Sequence, residues 1–162
     1  MIGRRALAGA LSATILASRA NAYSRFHGVF FDRGATSINK RGRDVLRDTV
    51  RFYPTALEGF RSLQQFGVAP SAPSPWIHVG GWAGDGAHDA ENEFLPSMRA
   101  LNVVQLLLEG GLPAGFIVTS SFAACRPFFS GLPMDDDQNR LAYVTFQPSP
   151  KRPPGGLPPF ER

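Results

Sequence analysis

The stretch Trp76-Ile77-His78-Val79-Gly80-Gly81-Trp82-Ala83-Gly84-Asp85-Gly86 decides the fold of this chain. Its first four residues are typical of a short β-strand, and the glycine-rich remainder is typical of a loop. A helix is expected over residues 96–109, because apolar residues recur there at helical spacing and Gly110-Gly111 follows as a stop. Its apolar positions form one broad face made of Ala100, Leu101, Val103, Val104, Leu107 and Leu108. Strand, loop and helix together predict a pocket at the carboxyl end of the strand, where open α/β sheets bind ligands.

The same patterns predict three further strands, over residues 29–31, 116–119 and 141–146. A helix through residues 45–53 is expected, with Thr36 or Ser37 as its cap and Pro54 as its end. A shorter helical pattern covers residues 57–66, and the Pro-, Ser- and Ala-rich residues 69–75 are expected to form a loop. The order β-α-(α)-β-α-β-β predicts an α/β (α+β) domain, with helices packed on a mixed, mostly parallel four-stranded sheet.

The first 22 residues have the composition of a secretory signal peptide. The pair Arg4-Arg5 precedes an apolar stretch over residues 6–17, and Ala20-Asn21-Ala22 has the small-residue spacing of a cleavage site. We expect export to the periplasm, a domain over residues 23–146, and a Pro/Gly-rich tail over residues 147–162 that is disordered or extended. An uncleaved amphipathic helix is the alternative for the first segment, and its arginine pair also fits a twin-arginine signal.

The excess of basic over acidic side chains lies mostly in the amino-terminal segment. The whole sequence has 17 basic and 13 acidic side chains and a pI near 9.8. Without the first 22 residues it has 14 basic side chains against the same 13 acidic ones, so we expect no nucleic-acid partner. The expected mature chain has no apolar run of the roughly 20 residues that a membrane helix needs. Cys125 is the single cysteine, so an internal disulfide is impossible.

One acidic and one basic side chain accompany the glycine-rich loop. Asp85 lies in the loop, and Arg99 lies about one turn into the expected helix, near the point where the loop returns. A guanidinium grips a carboxylate through two parallel hydrogen bonds, and a carboxylate pairs with an ammonium. The pair therefore favours recognition of a zwitterionic amino-acid end, and no nucleophile with its base accompanies it.

These segments resemble the OmpA-like peptidoglycan-binding domain family. That family opens with a V-F-F-D strand and a helix of the type L-x-x-x-G-x-x-x-L, which are matched here by Val29-Phe30-Phe31-Asp32 and by Ile38, Gly42 and Leu46. Its core signature is a G-H-T-D loop, an Asn, and the run L-S-x-x-R-A-x-x-V-x-x-x-L-x-x-x-G. The matching residues are Gly81-Trp82-Ala83-Gly84, Asn92, Leu95-Pro96-Ser97-Met98-Arg99-Ala100, Val103, Leu107 and Gly111.

The later part of the chain continues the resemblance. The family's S-R-P and closing N-R-R-V segments correspond to Cys125-Arg126-Pro127 and to Asn139-Arg140-Leu141 with Val144. The resemblance covers about residues 29–146 in the family's order, and residues 55–75 look like an insertion. It implies a non-catalytic periplasmic domain, associated with the outer membrane or cell wall, that binds the stem peptide of peptidoglycan noncovalently and needs no cofactor or metal.

The resemblance also implies which residues bind the ligand. In the family, the loop Asp and the helix Arg hold diaminopimelate of the stem peptide. The arginine position is Arg99, whereas the aspartate position is Gly84, and Asp85 replaces it if the loop shifts by one residue. The expected ligand-binding set is therefore Asp85, Asn92, Arg99 and Arg140.

Some positions depart from the family's pattern. The loop Thr and His are Ala83 and Trp82, and the helix-capping Ser is Pro96, which removes a side-chain cap. The tryptophan is expected to stack on a sugar or to cover the pocket.

Each expected ligand residue also has a structural interpretation. Arg99 would pair with a surface acid such as Glu93, and Asp85 would be a solvated loop residue. Asn92 would fix the loop through its amide, and Arg140 would brace the loop before the last strand.

Two other hypotheses belong to different functional classes. A degenerate OmpA-like fold that binds a protein of the cell envelope accounts for the missing loop Asp, and binding gained by Gly84→Asp is its expected signature. A wall-cleaving enzyme has only Cys125 and three scattered His in its favour and is not expected.

Two segments were considered as metal sites. His88 beside Asp85 and Asp89 matches no strong zinc pattern. The run Asp135-Asp136-Asp137 has no EF-hand alternation and is expected to be a solvated loop.

Overall fold

The computed structural model describes residues 25–84, 90–122, 128–129, 131–133 and 135–150, and only the backbone of residues 90–93. The expected signal peptide, Asp85, Cys125 and the tail from residue 151 lie outside these ranges. The described part has two α-helices and four strands. They are β1 (His27–Phe30), α1 (Lys40–Gln65), β2 (Trp76–Trp82), α2 (Ala90–Glu109), β3 (Ile117–Phe122) and β4 (Leu141–Gln147). Short 3-10 turns, Ala114–Phe116 and Asp137–Asn139, precede β3 and β4.

The four strands form one mixed sheet in the order β1-β4-β2-β3. β2 and β3 are parallel, whereas β4 is antiparallel to both β1 and β2. The α+β class and the mixed sheet are confirmed, but the expectation of a mostly parallel sheet is wrong. Helical crossovers do give β1, β2 and β3 one direction, as expected. β4 then inserts between β1 and β2 in the opposite direction, so two of the three pairings are antiparallel.

The two faces of the sheet are covered differently. Both helices pack on one face, over a core drawn from alternate strand residues such as Val29, Ile77, Val79, Val144 and Phe146. The other face has a second hydrophobic cluster, made of Leu141 and the aromatic residues Trp82, Phe128 and Tyr143 and flanked by Phe26, Phe122 and Phe129. Because strand residues alternate between faces, β2 and β4 contribute to both layers. The sheet is therefore buried on both sides around Trp82 and Tyr143, whereas Phe30 at the end of β1 is exposed.

Helix α1 runs through Pro54 as one continuous helix of 26 residues, so the expected stop at this proline is wrong. An interior proline costs about 3 kcal/mol because it lacks an amide donor and crowds the preceding turn. Thr49 on one side of it and Ala56 and Phe60 on the other are buried against the sheet, and this packing keeps the helix together. The cap is Asn39, whose side chain accepts from Gly42 N at 2.9 Å, and neither Thr36 nor Ser37 has that role.

β2 and α2 are both longer than the sequence patterns indicate. β2 extends through Gly80, Gly81 and Trp82, which were expected to begin the loop. α2 begins at Ala90, so Pro96 lies in its interior and not in its first turn. A side chain at Gly81 would overlap the backbone of Pro96, so glycine permits this close contact of strand and helix. In the described ranges no helix is long and apolar enough to cross a bilayer.

Candidate functional site

The guanidinium of Arg99 lies where β1 and β2 end and the loops that follow them meet. Nε donates to the carbonyl oxygen of Ala35 at 2.9 Å, and Nη1 donates to those of Trp82, at 2.8 Å, and Ala83. Nη2 makes a longer contact of 3.4 Å with the carbonyl oxygen of Asp32. Four of the five guanidinium donors are therefore directed at main-chain oxygens of two loops.

Arg99 has no solvent-exposed surface, and its guanidinium carbon lies 5.2 Å from the ring centre of Phe31. The pocket predicted at the carboxyl end of β2 therefore does not expose this guanidinium in this structure. A two-pronged grip on a ligand carboxylate needs two neighbouring N–H groups. A ligand would therefore have to displace at least one of the carbonyls that Arg99 now holds.

Gly84, at the position of the family's loop aspartate, has a conformation that excludes a side chain. Its φ is +60°, a region that L-residues rarely adopt. A Cβ atom there would also overlap the backbone of Asn139 and Arg140. The absence of a side chain at Gly84 thus allows the end of β2 to pack closely on the turn before β4.

Trp82 does not line an open pocket. It is 4% exposed, and its ring stacks on Phe122 with centroids 3.7 Å apart, next to Phe128 and Tyr143. The expectation that Trp82 stacks on a sugar or covers the pocket is therefore wrong for this structure. The alternation of strand residues directs it to the face opposite the helices, because β2 continues to this residue.

An open cleft of about 460 Å³ lies beside the loop after β1, between the end of β1, the start of α1 and the turn before β4, and neither Arg99 nor the end of β2 lines it. Its polar side chains include two carboxylates and two guanidinium groups, from Asp32, Asp137, Arg41 and Arg140. Asp32 also supplies one of the carbonyls near Arg99. The cleft can therefore present both signs of charge to a zwitterionic ligand at the same loop edge.

Arg140 forms the inner wall of this cleft. It is 8% exposed, donates from Nη1 to the carbonyl oxygen of Asp135 at 3.1 Å, and forms an ion pair with the carboxylate of Asp137. Its own carbonyl accepts from Phe31 N at 2.8 Å. These contacts brace the turn before β4 and place the guanidinium beside the cleft.

Arg99 and Arg140 both contact the segment after β1, Arg99 through the carbonyl oxygens of Ala35 and Asp32 and Arg140 through its own carbonyl, which accepts from Phe31 N. Asn92 lies in α2 with its side chain outside the described part, and Asp85, His88 and Cys125 lie outside the described residues. No group of three metal-binding side chains occurs within the described part of the chain. The sequence patterns did not identify Asp32 and Arg41 as site residues, although an aspartate directly after a strand, as at Asp32, is a recognisable signal. The triple Asp135-Asp136-Asp137 was expected to be a solvated loop, yet Asp135 and Asp137 both bind the guanidinium of Arg140.

Solved structures share this arrangement of strands and helices. The chain is similar to the OmpA-like domain of FopA1 from Francisella tularensis, with a TM-score of 0.55 and 19% identity over 76% of this chain and 72% of that one. The described part of this chain has the OmpA-like fold. The peptidoglycan-associated lipoprotein of Burkholderia pseudomallei matches this OmpA-like fold with a TM-score of 0.53 and 20% identity, over 75% of this chain and 90% of that one.

A third solved structure, the carboxy-terminal domain of Helicobacter pylori MotB, has a TM-score of 0.51 and 16% identity, over 74% of this chain and 83% of that one. At such identities the similarity concerns the OmpA-like fold. No protein-family model matches the sequence, and no curated protein matches it.

Proposed function

We propose that this domain binds peptidoglycan noncovalently and performs no catalysis. The observation that carries the proposal is the OmpA-like fold, which joins the loops after β1 and β2 around Arg99 and which this chain shares with a protein named for its association with peptidoglycan. The location that follows is the periplasm, after export by the expected signal peptide, next to the cell wall or outer membrane.

The cleft beside these loops suits the chemistry of a peptidoglycan stem peptide, which carries carboxylates and an ammonium. Arg41 is exposed at the start of α1, and Asp32 is exposed at the end of β1. An anionic group near the guanidinium and a cationic group near the carboxylate would each gain a charge-assisted hydrogen bond. Neither side chain supports the core, so both are available to a ligand.

Within the stem peptide, the proposed ligand residue is diaminopimelate. The set implied by the family resemblance is Asp85, Asn92, Arg99 and Arg140, and Arg140 already borders the cleft. Arg99 joins the set if the carbonyls of Trp82 and Ala83 turn away when the ligand enters. Binding would then change the backbone around Gly84.

Co-sedimentation with purified sacculi tests the function. We expect the wild type to bind and Arg41→Ala to bind about tenfold more weakly, because a hydrogen bond to a charged group contributes about 1.5–3 kcal/mol. Arg51→Ala is the matched control, since Arg51 is exposed on the same helix and does not border the cleft. No binding by the wild type would disprove the function, and equal loss in both variants would disprove the site.

Competition with free diaminopimelate tests the finer proposal. We expect it to release the domain from sacculi, and lysine, which lacks the second carboxylate, to do so much less. Equal competition by both compounds would exclude recognition of that carboxylate. Arg99→Ala is unsuitable as a binding test by itself, because removal of a buried guanidinium also removes the ties between two loops.

A protein partner in the envelope is the second candidate function. The enclosed Arg99 and the excluded side chain at Gly84 favour it, because both reduce the access of a small ligand to the loop after β2. Crosslinking in cells, followed by identification of the captured protein, tests this candidate. If this second candidate is correct, the domain captures one envelope protein and fails to sediment with sacculi. Binding of the wild type to sacculi would argue against the second candidate.

A further inference from the structure

Helix α2 has two apolar faces, and the sheet covers only one of them. Ala100, Val103 and Leu107 are buried against the sheet. The second face, called the outer stripe here, is exposed and consists of Phe94 (71% exposed), Met98 (45%), Leu101 (53%) and Leu108 (41%). Leu101 and Leu108 were expected to widen the core face, but they point away from it. A helix that is apolar all round is normally covered on all sides.

The outer stripe has the spacing of a coiled-coil seam. Phe94 and Met98 are four positions apart, and Met98 and Leu101 are three apart. Gln105 then divides the seven positions from Leu101 to Leu108 into four and three, so the heptad spacing continues along the stripe. Gln105 donates from Nε2 to the carboxylate of Glu109 at 3.0 Å, so its amide already has a partner on its own helix. The stripe extends over about 21 Å, at 1.5 Å per residue.

The charge distribution indicates what the stripe contacts. Between Phe94 and Leu108 the sequence has one charged residue, Arg99, and that residue is buried. A helix that lies on a membrane surface carries Lys and Arg along its polar edges, and this one has none over those positions. An uncharged surface can meet a copy of itself without repulsion between like charges.

The stripe is also symmetric about its centre. Phe94 and Leu108 each lie seven residues from Leu101. An antiparallel pair with a twofold axis at Leu101 brings the two Leu101 side chains together and sets Phe94 of each copy against Leu108 of the other. The four side chains expose roughly 400 Å², the size of the largest apolar patch on a typical monomer. With its flanks, such a pair buries about 1,000 Å² in total, at the lower end of specific interfaces.

We propose that a second copy of this chain packs on the outer stripe, with the two α2 helices antiparallel about a twofold axis at Leu101. Sedimentation equilibrium of the full chain at micromolar concentrations tests this proposal. The wild type is expected to form a dimer, and Leu101→Lys is expected to raise the dissociation constant at least about tenfold, because it places two lysines at the axis.

Two controls keep the test decisive. Val68→Lys changes a residue that is 65% exposed and lies outside α2, and it is expected to leave the dimer intact. The circular dichroism and unfolding midpoint of Leu101→Lys are expected to match the wild type, because the side chain it replaces is outside the core. If Leu101→Lys does unfold, Met98→Gln replaces it as the dissociating variant. A wild type that remains monomeric, or equal dissociation by Val68→Lys, would overturn the proposal.

Disulfide crosslinking tests the orientation. In a Cys125→Ser background, Leu101→Cys is expected to form a covalent dimer on oxidation, because the two residues meet at the axis. Phe94→Cys is the matched control, since the two copies of residue 94 lie about 21 Å apart in the antiparallel pair, which is beyond the reach of a disulfide. Equal crosslinking of the two variants, or none by Leu101→Cys, would overturn the antiparallel arrangement.

Discussion

Arg99 donates from Nε to the carbonyl oxygen of Ala35 at 2.9 Å, and this bond ties α2 to the loop after β1, 64 residues earlier in the chain. Nη1 of Arg99 reaches the end of β2 through Trp82 and Ala83. One turn further along α2, Asn102 donates to the carbonyl oxygen of Thr36 at 2.8 Å. Side chains of one helix therefore hold the loop after β1, which borders the cleft, next to the end of β2.

Arg99→Ala is expected to reduce the free energy of unfolding by about 2–4 kcal/mol, because it leaves buried carbonyls without donors. Arg99→Lys is also expected to destabilise the fold, since three donors on one nitrogen cannot reach oxygens on both loops. Urea unfolding measures both effects. Arg51→Ala, a change to an exposed residue of α1, should alter stability by no more than about 0.5 kcal/mol. An Arg99→Ala variant as stable as the wild type would show that the ties are not structural.

Gly84→Ala and Gly84→Asp are expected to destabilise the fold, and Gly84→Asp is expected not to create ligand binding. A side chain there meets the backbone of Asn139 and Arg140 in addition to the strain of a φ of +60°. Gly34→Ala is the matched control, because Gly34 has a φ of +67° and nothing within contact distance of an added Cβ. Thermal unfolding should show a clearly larger loss for Gly84→Ala. Similar losses for both alanine variants would mean that strain alone is responsible.

His27 is expected to make stability fall as the solution is acidified. Burial against Phe52 and Phe146, followed by the charge of Arg25, lowers its pKa from 6.5 to about 4. Nε2 is buried and has no hydrogen-bond partner among the described residues. Above pH 6.5 the ring is neutral in both states. Below it only the unfolded state binds the proton, so stability is lost down to about pH 4.

The pH dependence of His27→Leu isolates this effect. Each unit of pKa difference corresponds to about 1.4 kcal/mol, so at most about 3.5 kcal/mol is lost over the interval. We expect the unfolding free energy of the variant to fall less steeply with pH than that of the wild type. Chemical denaturation at several pH values measures both slopes, and parallel slopes would exclude His27 as the source.

Trp82→Ala is expected to cost about 3–5 kcal/mol, the usual range for removing a large buried aromatic side chain. Its ring contacts Phe122, Phe128 and Tyr143 on the face opposite the helices. Trp82→Phe should recover part of this loss, because it keeps an aromatic ring in the cluster. Calorimetric unfolding of the two variants measures the difference. If Trp82→Ala instead weakened binding to sacculi without loss of stability, a ligand contact would replace the packing role.

Local patterns were sufficient for much of the fold. Alternation and apolar runs predicted strands that overlap β1 to β4, and Gly110-Gly111 did end α2 after Glu109. The helices between β1, β2 and β3 predicted their common direction. Pro54 was misread, because the local cost of proline is offset by the burial of Ala56 and Phe60, which belong to the same helix but contact distant strands. The position of β4 was also unpredictable from local patterns, since it depends on pairing with two strands far earlier in the chain.

The candidate site was predicted less well than the fold. Helical spacing placed Arg99 close to the loop after β2, and this proximity is correct. The spacing carried no information on the direction of the carbonyls of Ala35, Trp82 and Ala83, which enclose the guanidinium. It also could not show which side of α2 the sheet covers, so Leu101 was assigned to the core although it is exposed.

By itself, the sequence determined the class and order of the elements, because strand and helix periodicities are local properties of the chain. The proximity of Arg99 to the end of β2 was predicted in the same way, but its expected position one turn into the helix was wrong, because α2 begins at Ala90 and Arg99 lies about two and a half turns into it. Only the tertiary structure decided that β4 lies between β1 and β2, that Arg99 is enclosed, and that α2 keeps an uncovered apolar stripe. Those outcomes depend on contacts between residues tens of positions apart, and no local pattern encodes which surface will meet which.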